Sequence, residues 1–391
     1  MELVASASRD GGMIGPMPKG PLGVSIGLNR GALTTETAIV VREASPGDNS
    51  GLVALTSATP MLGAISLRID RGPDFFRLLD LRGKGKVFVA TDRGRVIGCI
   101  SAAVRTAFVS GTPQTIGYIG DVKVHPSFAG SRVVLRLIAA LREDLIRRNV
   151  DLLFAVIAAG NRQALSLMEG RLGTPRWRQI GSFRVCEFLP SPFAGRSNAY
   201  DIGPVRPNER GSLVALVNGF NRGYQFGPEI APEDANPAPF ARTLVARAGR
   251  EVVATLTAFD TAEVKSNVVV ALPPSLQAAL AALYPLRLVL PRLRIPSVGE
   301  PLRLLYLRNA AHRKGHERAL RALIQRARFE AYEREYSFAV LGIHERDPLS
   351  AIVKGLPKFV FSTHAFATSL VGGHDLEAIA AGIPMEDFAL V

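Results

Sequence analysis

The second half of the chain repeats the first, and this repetition limits the possible folds more than any other feature of the sequence. FVATDRGRVIGCISA (88–102) returns as LVARAGREVVATLTA (244–258), displaced by 156 residues. FAVIAAGNRQALSLM (154–168) returns as FAVLGIHERDPLSAI (338–352), displaced by 184 residues. Together with a weaker third match in the same order, these pairs predict a duplicated domain.

The third match, together with the change in displacement, sets the domain limits. It pairs VREASPGDNSGLVAL (41–55) with VRPNERGSLVALVN (205–218). Because the displacement grows towards the C-terminus, the second copy must contain an insertion. The start of the chain is rich in Gly, Ser and Met and lacks the apolar core of a signal peptide. The predicted segments are a disordered tail over 1–37, an N-terminal domain over 38–190, a linker over 191–202, and a C-terminal domain over 203–391 with an insertion at about 263–300.

Composition narrows the class of protein further. Hydrophobic residues make up 47% of the chain, enough for buried cores. Cys99 and Cys186 both lie in apolar, strand-like runs, a pattern typical of a reduced, cytoplasmic protein. The scattered histidines and cysteines have no metal-ligand spacing, so no metal is predicted. The net charge of +13 favours anionic partners, although a merely soluble basic surface remains an alternative. No motif indicates nucleic acid binding.

The insertion contains SLQAALAALYPLRLVLPRLRIP (275–296), which has two interpretations. Pro285 and Pro291 break it into pieces too short to span a bilayer. The apolar residues and interspersed arginines could lie on a membrane surface. The favoured interpretation is that the segment packs across the interface between the two domains.

The stretch DVKVHPSFAGSRVVLRLI (121–138) reads as a strand, a break at Pro126, a loop of small residues and a helix. The free N–H groups at the start of a helix can hold a phosphate. Alternation along the strand predicts that Asp121 and Lys123 share one side, with Tyr118 on the opposite face. Asp121 is the best candidate for a catalytic base, since partial burial would raise its pKa. A structural hydrogen bond or salt bridge is the alternative role.

The order of these elements, with the segments VREASPGDNSGLVAL, GRVIGCIS, DVKVHPSFAG and NRQALSLMEGRLG, resembles the GNAT superfamily of acyl-CoA-dependent N-acetyltransferases. The resemblance implies an α/β (α+β) fold of two tandem GNAT-like domains. Each would be a mixed, mostly antiparallel sheet flanked by helices. It also implies that acetyl-CoA lies between the fourth and fifth strands of the N-terminal domain, with its pyrophosphate on the following helix.

The resemblance also implies which residues form the site. The pantetheine arm would run along the backbone of the fourth strand, and Asn161 would bond its amide or cap the next helix. The acceptor would be selected by the first loop-helix region, where two arginines could clamp a carboxylate or phosphate, although ordinary surface arginines are the alternative. The implied residues are Val122, Lys123 and Val124 for pantetheine; Ala129, Gly130, Ser131, Arg132, Val133 and Val134 for the pyrophosphate; and Arg68, Arg71 and Asp74 for the acceptor.

Two departures from the family pattern bear on activity. The family's pyrophosphate loop reads [QR]-x-x-G-x-[GA], but here Ala129, Arg132 and Val134 stand at its defining positions. The tyrosine that often serves as general acid is replaced by Met168. In the second copy, Glu317 stands near the corresponding helix start and would repel a pyrophosphate, so CoA is expected in the N-terminal copy.

The predicted function is therefore transfer of an acetyl group from acetyl-CoA to an amine of a small molecule or protein, with an anionic acceptor as one option. The alternative is a non-catalytic tandem module that binds acyl-CoA or a protein partner, because fold resemblance alone does not confer activity. The sequence does not indicate the oligomeric state.

Overall fold

The computed structural model describes residues 2–4, 39–61, 66–170, 174–194, 199–232 and 241–391. Its strands are β1 Glu2–Val4, β2 Val40–Glu43, β3 Ser66–Asp70, β4 Lys84–Asp92, β5 Arg95–Val109, β6 Thr112–Val124, β7 Leu152–Ala158, β8 Arg178–Phe188, β9 Asp201–Pro204, β10 Gly227–Pro228, β11 Ala241–Ala248, β12 Glu251–Asp260, β13 Ser266–Ala271, β14 Pro301–Leu302, β15 Leu304–His312, β16 Phe338–His344 and β17 Lys358–Ser369. Its helices are α1 Asn49–Ala58, α2 Phe76–Arg82, α3 Val133–Arg147, α4 Arg162–Leu167, α5 Arg210–Asn221, α6 Pro274–Ala281, α7 Glu317–Glu333, α8 Leu349–Ile352 and α9 Leu376–Ala381.

The predicted tail and part of the predicted linker fall on residues that the structure does not describe. Within the tail, only β1 is described, and it pairs in parallel with Lys358–Val360 of β17. The linker prediction over 191–202 includes 195–198, which lie outside the described residues.

Strands from both halves form one large mixed sheet. Its order is β2-β4-β5-β6-β7-β17-β8-β16-β15-β12-β11-β9. The last strand of each half has crossed over: β17 lies between β7 and β8, and β8 lies beside β16. The tandem GNAT-like fold is confirmed, and the two sheets are fused by this exchange, which gives the final strand of each half a partner in the other half.

The two halves share an irregularity as well as an order of strands. The register of β5 shifts between Cys99 and Ser101, and that of β12 shifts between Thr255 and Thr257. Opposite these shifts, Asp121 and Asn309 adopt left-handed backbone conformations with φ of 50° and 49°. A bulge of this kind redirects a side chain. The duplication therefore includes the bulge that orients the Asp121 side chain.

Local sequence signals explain some elements and miss others. The sequence Asp-Arg-Gly between two apolar runs is typical of a hairpin, and Arg93 and Gly94, both with positive φ, form the two-residue loop between β4 and β5. The first loop-helix region, which the resemblance implies for acceptor selection, also contains the strand β3. This strand pairs with β13 of the other half in a separate three-stranded sheet, a partner that no local pattern reveals.

The insertion packs across the two halves, as the favoured interpretation predicted. Leu276 and Leu280 of α6 belong to the same buried cluster as Phe154 of β7 and Phe338 of β16. Beyond α6, part of the segment is exposed, since Leu288 is 90% exposed, but Leu293 and Ile295 are buried in the same cluster. None of the helices that the structure describes is long and apolar enough to cross a membrane.

Candidate active site

The strands β6 and β7 pair only over a short stretch and then part. Ile116–Tyr118 is aligned in parallel with Leu152–Phe154, and the rest of β6 stays paired with β5 alone. The N–H of His125 donates to the carbonyl of Ile97 on β5 at 2.7 Å. Because successive backbone groups alternate along a strand, the N–H of Val124 faces the opening between β6 and β7. The backbone of β6 thus lines a cleft.

The start of α3 carries free main-chain donors. The N–H groups of Arg132, Val134 and Leu135 have no hydrogen-bond acceptor within the described part of the chain. Gly130 has a φ of 76°, and no atom lies within 4 Å of where a side chain would begin. Residues 129–132 are exposed, so the Arg132 side chain does not fill the loop. The bulky substitutions therefore leave the amides accessible.

Val133 and Val134 account for part of the departure from a glycine-rich loop. Val133 is 1% exposed and packs with Leu137 in the core beneath α3. Val134 is half-buried. A valine at the first helical position thus anchors the helix, while the loop before it remains open. The anchoring role was not evident from the motif.

Asp121 is held by hydrogen bonds to both carboxylate oxygens. Arg71 Nη1 donates to Oδ1 at 2.9 Å, and the Ser101 hydroxyl donates to Oδ2 at 2.8 Å. Burial alone would raise the pKa of Asp121, but the positive charge of Arg71, the Ser101 hydrogen bond and the charge of Lys123 outweigh it, and the pKa lies below its usual range. The expectation of a raised pKa was wrong, because Arg71 approaches from a loop 50 residues away in sequence.

Tyr118 lies on the same face as Asp121, not on the opposite face as alternation predicted. Ser101, which binds the Asp121 carboxylate, is aligned with Gly120, and Gly120 shares its face with Tyr118. The left-handed bulge at Asp121 inverts the expected alternation. The two side chains that a simple strand would separate are therefore neighbours.

Tyr118 lies at the point where β6 and β7 diverge. Its ring lies edge-on to Phe154 at 6.0 Å, and the Arg82 guanidinium carbon is 3.0 Å from the ring centre. The backbone of Val156, on β7 beyond the last paired residue, is near its hydroxyl and slightly lowers its pKa. Burial raises the pKa of Tyr118 to about 12, so the phenol stays protonated at neutral pH. The hydroxyl thus lies at the apex of the cleft.

Of the three residues predicted to bind the acceptor, only Arg71 reaches Asp121. It is 3% exposed and also donates to the carbonyl of Phe75 at 2.7 Å. Arg68 forms an ion pair with Asp70 at 3.1 Å. Asp74 is exposed and accepts a hydrogen bond from the N–H of Phe76 at 2.9 Å, at the start of α2. Arg68 and Asp74 therefore have local structural partners.

Lys123 and Asn161 each have a defined partner. The Lys123 ammonium donates to the carbonyl of Thr59 at 3.1 Å, and burial lowers its pKa. The Asn161 side chain accepts from the N–H of Ala164 at 3.1 Å and caps α4. The capping role that the sequence offered for Asn161 is thus present.

The second half and the C-terminal segment add charged residues that sequence reasoning did not select. Arg82 of α2 forms an ion pair with Glu386, and Arg308 of β15 lies 2.5 Å from Asp387. Lys265 is 3% exposed, and burial, reinforced by nearby Arg71 and Arg82, lowers its pKa to about 7. The only sequence signal was a pair of adjacent acids in the apolar run IPMEDFALV (383–391).

The second half repeats the geometry around Asp121 with neutral groups. Asn309 Nδ2 donates to the Thr257 hydroxyl at 3.4 Å, whereas in the first half the Ser101 hydroxyl donates to Asp121. At the start of α7, the Glu317 carboxylate accepts from the N–H of Gly315 at 3.1 Å. In this half, an acidic side chain thus occupies the place at the start of the helix where a phosphate would otherwise bind. Within the described residues, no group of histidine, cysteine and acidic side chains could hold a metal ion.

The fused sheet, the parting strands and the open helix start together define a GNAT-type domain, and comparison with known proteins agrees. Residues 61–173 match the model of the Acetyltransferase (GNAT) family. The N-terminal half therefore contains a GNAT acetyltransferase domain, which supports acyl transfer as the general class of reaction. No curated protein matches the chain significantly by sequence.

Solved structures share the architecture across both halves. The Saccharomyces cerevisiae N-myristoyltransferase with bound myristoyl-CoA is 11% identical, with a TM-score of 0.55, and the match covers 87% of this chain and 85% of that one. A GCN5-related glucosamine N-acetyltransferase region from a fungal multi-domain GH3 β-N-acetylglucosaminidase is 12% identical, with a TM-score of 0.55, covering 85% of this chain and 38% of that one. At these identities the likeness concerns the fold alone.

Proposed function

We propose that the protein is an N-acetyltransferase that moves an acetyl group from acetyl-CoA to an amine of a small molecule or protein. The main support is the combination of an open β6 edge with three unpaired main-chain donors at the start of α3. An acyl-CoA needs this pairing of features, because its pantetheine arm is extended and its diphosphate is anionic. The N-terminal half has both features, whereas the second half has an acid at its helix start.

The acyl-CoA would lie along β6 and end over α3. The backbone of Val122, Lys123 and Val124 would bind the pantetheine arm, and the diphosphate would accept hydrogen bonds from the N–H groups of Arg132, Val134 and Leu135. The Arg132 guanidinium, exposed beside these amides, adds positive charge. The thioester would then lie near the apex of the cleft, next to Tyr118.

The residues at the apex suit aminolysis of a thioester. The acceptor nitrogen forms a bond to the acyl carbon, the carbon–sulfur bond breaks, and the thiolate needs a proton. Tyr118 is the proposed donor, since its raised pKa keeps it protonated, and its phenolate regains a proton from water once the thiol has formed. Asp121 stays ionised and would orient the acceptor amine, whose displaced proton passes to water. The surrounding cations lower the pKa of an acceptor ammonium, as they do that of Lys265, and so favour its neutral, nucleophilic form.

Calorimetric titration of acetyl-CoA into the full-length protein tests the proposed binding site. We expect saturable binding that Arg132→Glu weakens by about ten-fold, or ~1.4 kcal/mol, because it places an anion beside the diphosphate. Arg136→Glu is the matched control: it makes the same charge change on an exposed residue one turn further along α3. Titration with myristoyl-CoA in parallel tests whether acetyl is the preferred acyl group.

Two results would contradict the proposed site. Absence of binding at millimolar acetyl-CoA would exclude the cleft as an acyl-CoA site. An equal loss of affinity in both variants would indicate general electrostatic attraction without a site at the helix start.

A non-catalytic acyl-CoA-binding module is the second candidate, and the state of Asp121 favours it. Both carboxylate oxygens are already hydrogen bonded and the lowered pKa makes Asp121 a weak base. Release of free thiol from acetyl-CoA in the presence of amines separates the two functions. Binding without thiol release across a broad amine panel would support the module.

A further inference from the structure

The apex of the cleft opens onto a cluster of buried charges in which cations outnumber acids. Among the described residues, the acid side chains of the cluster are Asp121, Glu386 and Asp387, and each is within ion-pair distance of an arginine. The cations are Arg71, Arg82, Arg105, Lys123, Lys265 and Arg308. These side chains therefore carry an excess of positive charge between the two halves.

Several of these cations lack a full set of partners. Arg105 has Nε and Nη2 buried without a hydrogen-bond partner in the described residues, and its nearest acid oxygen, on Glu386, is 3.9 Å away. Nε of Arg71 and Nε of Arg82 are also buried and without a partner there. Lys265, by contrast, is paired, because its ammonium donates to the main-chain oxygen of Val391 at 2.5 Å and to that of Phe388 at 3.5 Å. Buried donors that lack a partner are costly unless another group satisfies them.

The unsatisfied donors lie next to the proposed reaction centre. Arg105 is aligned with Ile116 on β6, so its side chain shares the face of Tyr118, two residues further along. Arg82 connects the two, because it stacks on the Tyr118 ring and pairs with the Glu386 that Arg105 approaches. The side chain of Arg105 is 11% exposed and that of Arg308 is 21% exposed, so the cluster is not sealed from solvent.

We infer that this cluster, with Arg105 at its centre, binds an anionic group of the amine acceptor, either a carboxylate or a phosphate. The inference rests on the proposed function and deepens it by naming the substrate class: amines that carry a negative charge a few bonds from the reacting nitrogen. Arg105 offers two free donors in the planar geometry that suits two oxygens of one anion. Arg82 supplies further positive charge beside Arg105.

The first test measures anion binding without any acyl-CoA. Thermal unfolding of the full chain is followed in inorganic phosphate and in chloride of equal ionic strength. We expect phosphate to raise the unfolding temperature with a saturable dependence on concentration, because it binds the folded state alone. The rise should disappear in Arg105→Gln and persist in Arg250→Gln, which removes an exposed charge in the turn between β11 and β12. An equal rise in both variants would overturn the inference.

The second test uses matched pairs of acceptors with the unaltered protein. β-Alanine is compared with propylamine, and O-phosphoethanolamine with ethanolamine, through the kcat/KM of acetyl-CoA-dependent thiol release. We expect the anionic member of at least one pair to be preferred by ten-fold or more, which corresponds to at least ~1.4 kcal/mol. The pair that shows the preference identifies carboxylate or phosphate as the recognised group. Equal kcat/KM within both pairs would overturn the inference and leave the acetyltransferase proposal intact.

The two tests also separate failure of this inference from failure of the proposed function. Saturable phosphate binding through Arg105, with no thiol release from any amine, would support the anion site and contradict the transferase. Arg105→Lys guards against a folding defect in the glutamine variant, since it keeps the charge and loses the planar donors. It should retain part of the phosphate effect and lose most of the acceptor preference, and full retention of both would contradict the assignment to Arg105.

Discussion

At the scale of single residues, the chemistry of the cleft depends on which charged groups and hydroxyls lie at its apex. Asp121 is fixed by two hydrogen bonds and remains an anion. Tyr118 is buried, protonated and near the backbone of the opposite strand. A thiolate leaving at the point where the strands part would therefore meet a phenol before it meets a carboxylate. The proposed proton donor therefore lies on β6, whereas the GNAT resemblance implies one on the helix after β7.

Tyr118→Phe tests this assignment. We expect kcat to fall by about 10²-fold, because the variant loses its general acid and keeps its ring, while the affinity for acetyl-CoA stays the same. Since burial raises the pKa of Tyr118 to about 12, the wild-type rate should show no loss from this group up to about pH 9. Steady-state rates of thiol release from pH 6 to about 9, with calorimetric affinities, provide the measurement.

Tyr306→Phe is the matched control for Tyr118→Phe. Tyr306 is the last residue of β15 that pairs with β16, just as Tyr118 is the last residue of β6 that pairs with β7. It lies in the half whose helix start carries Glu317, so this variant should keep most of its kcat. Equal losses in the two variants, or no loss in Tyr118→Phe, would contradict the role of Tyr118.

The sequence located Asp121 but could not give its chemical state. Alternation along β6 is readable only for a regular strand, and the left-handed residue at the bulge breaks it. The lowered pKa depends on Arg71, whose approach requires the loop before α2 to fold over β6. Glu386 and Asp387 reach the site through the C-terminal segment, far along the chain. Properties set by such distant contacts are absent from local sequence patterns.

At the scale of elements, the C-terminal segment depends on a glycine in β16. A side chain at Gly342 would begin 1.9 Å from a ring carbon of Phe388, so the ring occupies the space that the glycine leaves free. Phe388 is 8% exposed and lies edge-on to Phe183 at 5.3 Å. This contact holds the segment that delivers Glu386 and Asp387 to the arginines. The packing of one ring on β16 thus helps to form the charged cluster.

Gly342→Ala should displace Phe388 and loosen the C-terminal segment. We expect a loss of about 1–3 kcal/mol in the free energy of unfolding, because the added methyl group overfills a packed core. Urea unfolding measures the loss, and limited proteolysis should cut the segment faster. Gly211→Ala in α5, where no atom lies within 4 Å, is the control and should not lose stability. Equal stability of Gly342→Ala and the wild type would contradict this role of the glycine.

Helices and hairpins were predictable from the sequence because their signals are local. The loop and helix after Pro126 correspond to α3, and the glycine in Asp92-Arg93-Gly94 is a local signal for the hairpin turn found there. By contrast, β3 has its partner in the insertion of the second half, nearly two hundred residues away by sequence. Its residues, Ser66–Asp70, read SLRID and alternate between polar and apolar, but five residues are a weak signal and nothing in them indicates the partner strand.

At the scale of the whole molecule, the exchange of final strands makes the two halves depend on each other. β17 pairs with both of its neighbours over most of its length. Its residues Lys358–Ala367 pair with Arg178–Phe188 of β8, and its residues Thr363–Ser369 pair with Leu152–Ala158 of β7. Removal of either half would leave a long, apolar strand edge exposed. Such edges favour aggregation. The repeat in the sequence indicates two domains, but neither contains all the strands that complete its own sheet.

The fragments 1–194 and 195–391 test this dependence. Expressed alone, each should be aggregated or poorly folded, since the first lacks β17 beside β7 and the second lacks β8 beside β16. Expressed together, they should assemble into a heterodimer, because every strand pair is then available. Size-exclusion chromatography and circular dichroism distinguish these states, with the intact chain as reference.

A monomeric, folded first fragment that binds acetyl-CoA would show that the exchange is dispensable. The acetyl-CoA site would then depend on β6 and α3 alone, whereas the anion cluster, which needs Lys265, Arg308 and the C-terminal acids, should still require both fragments.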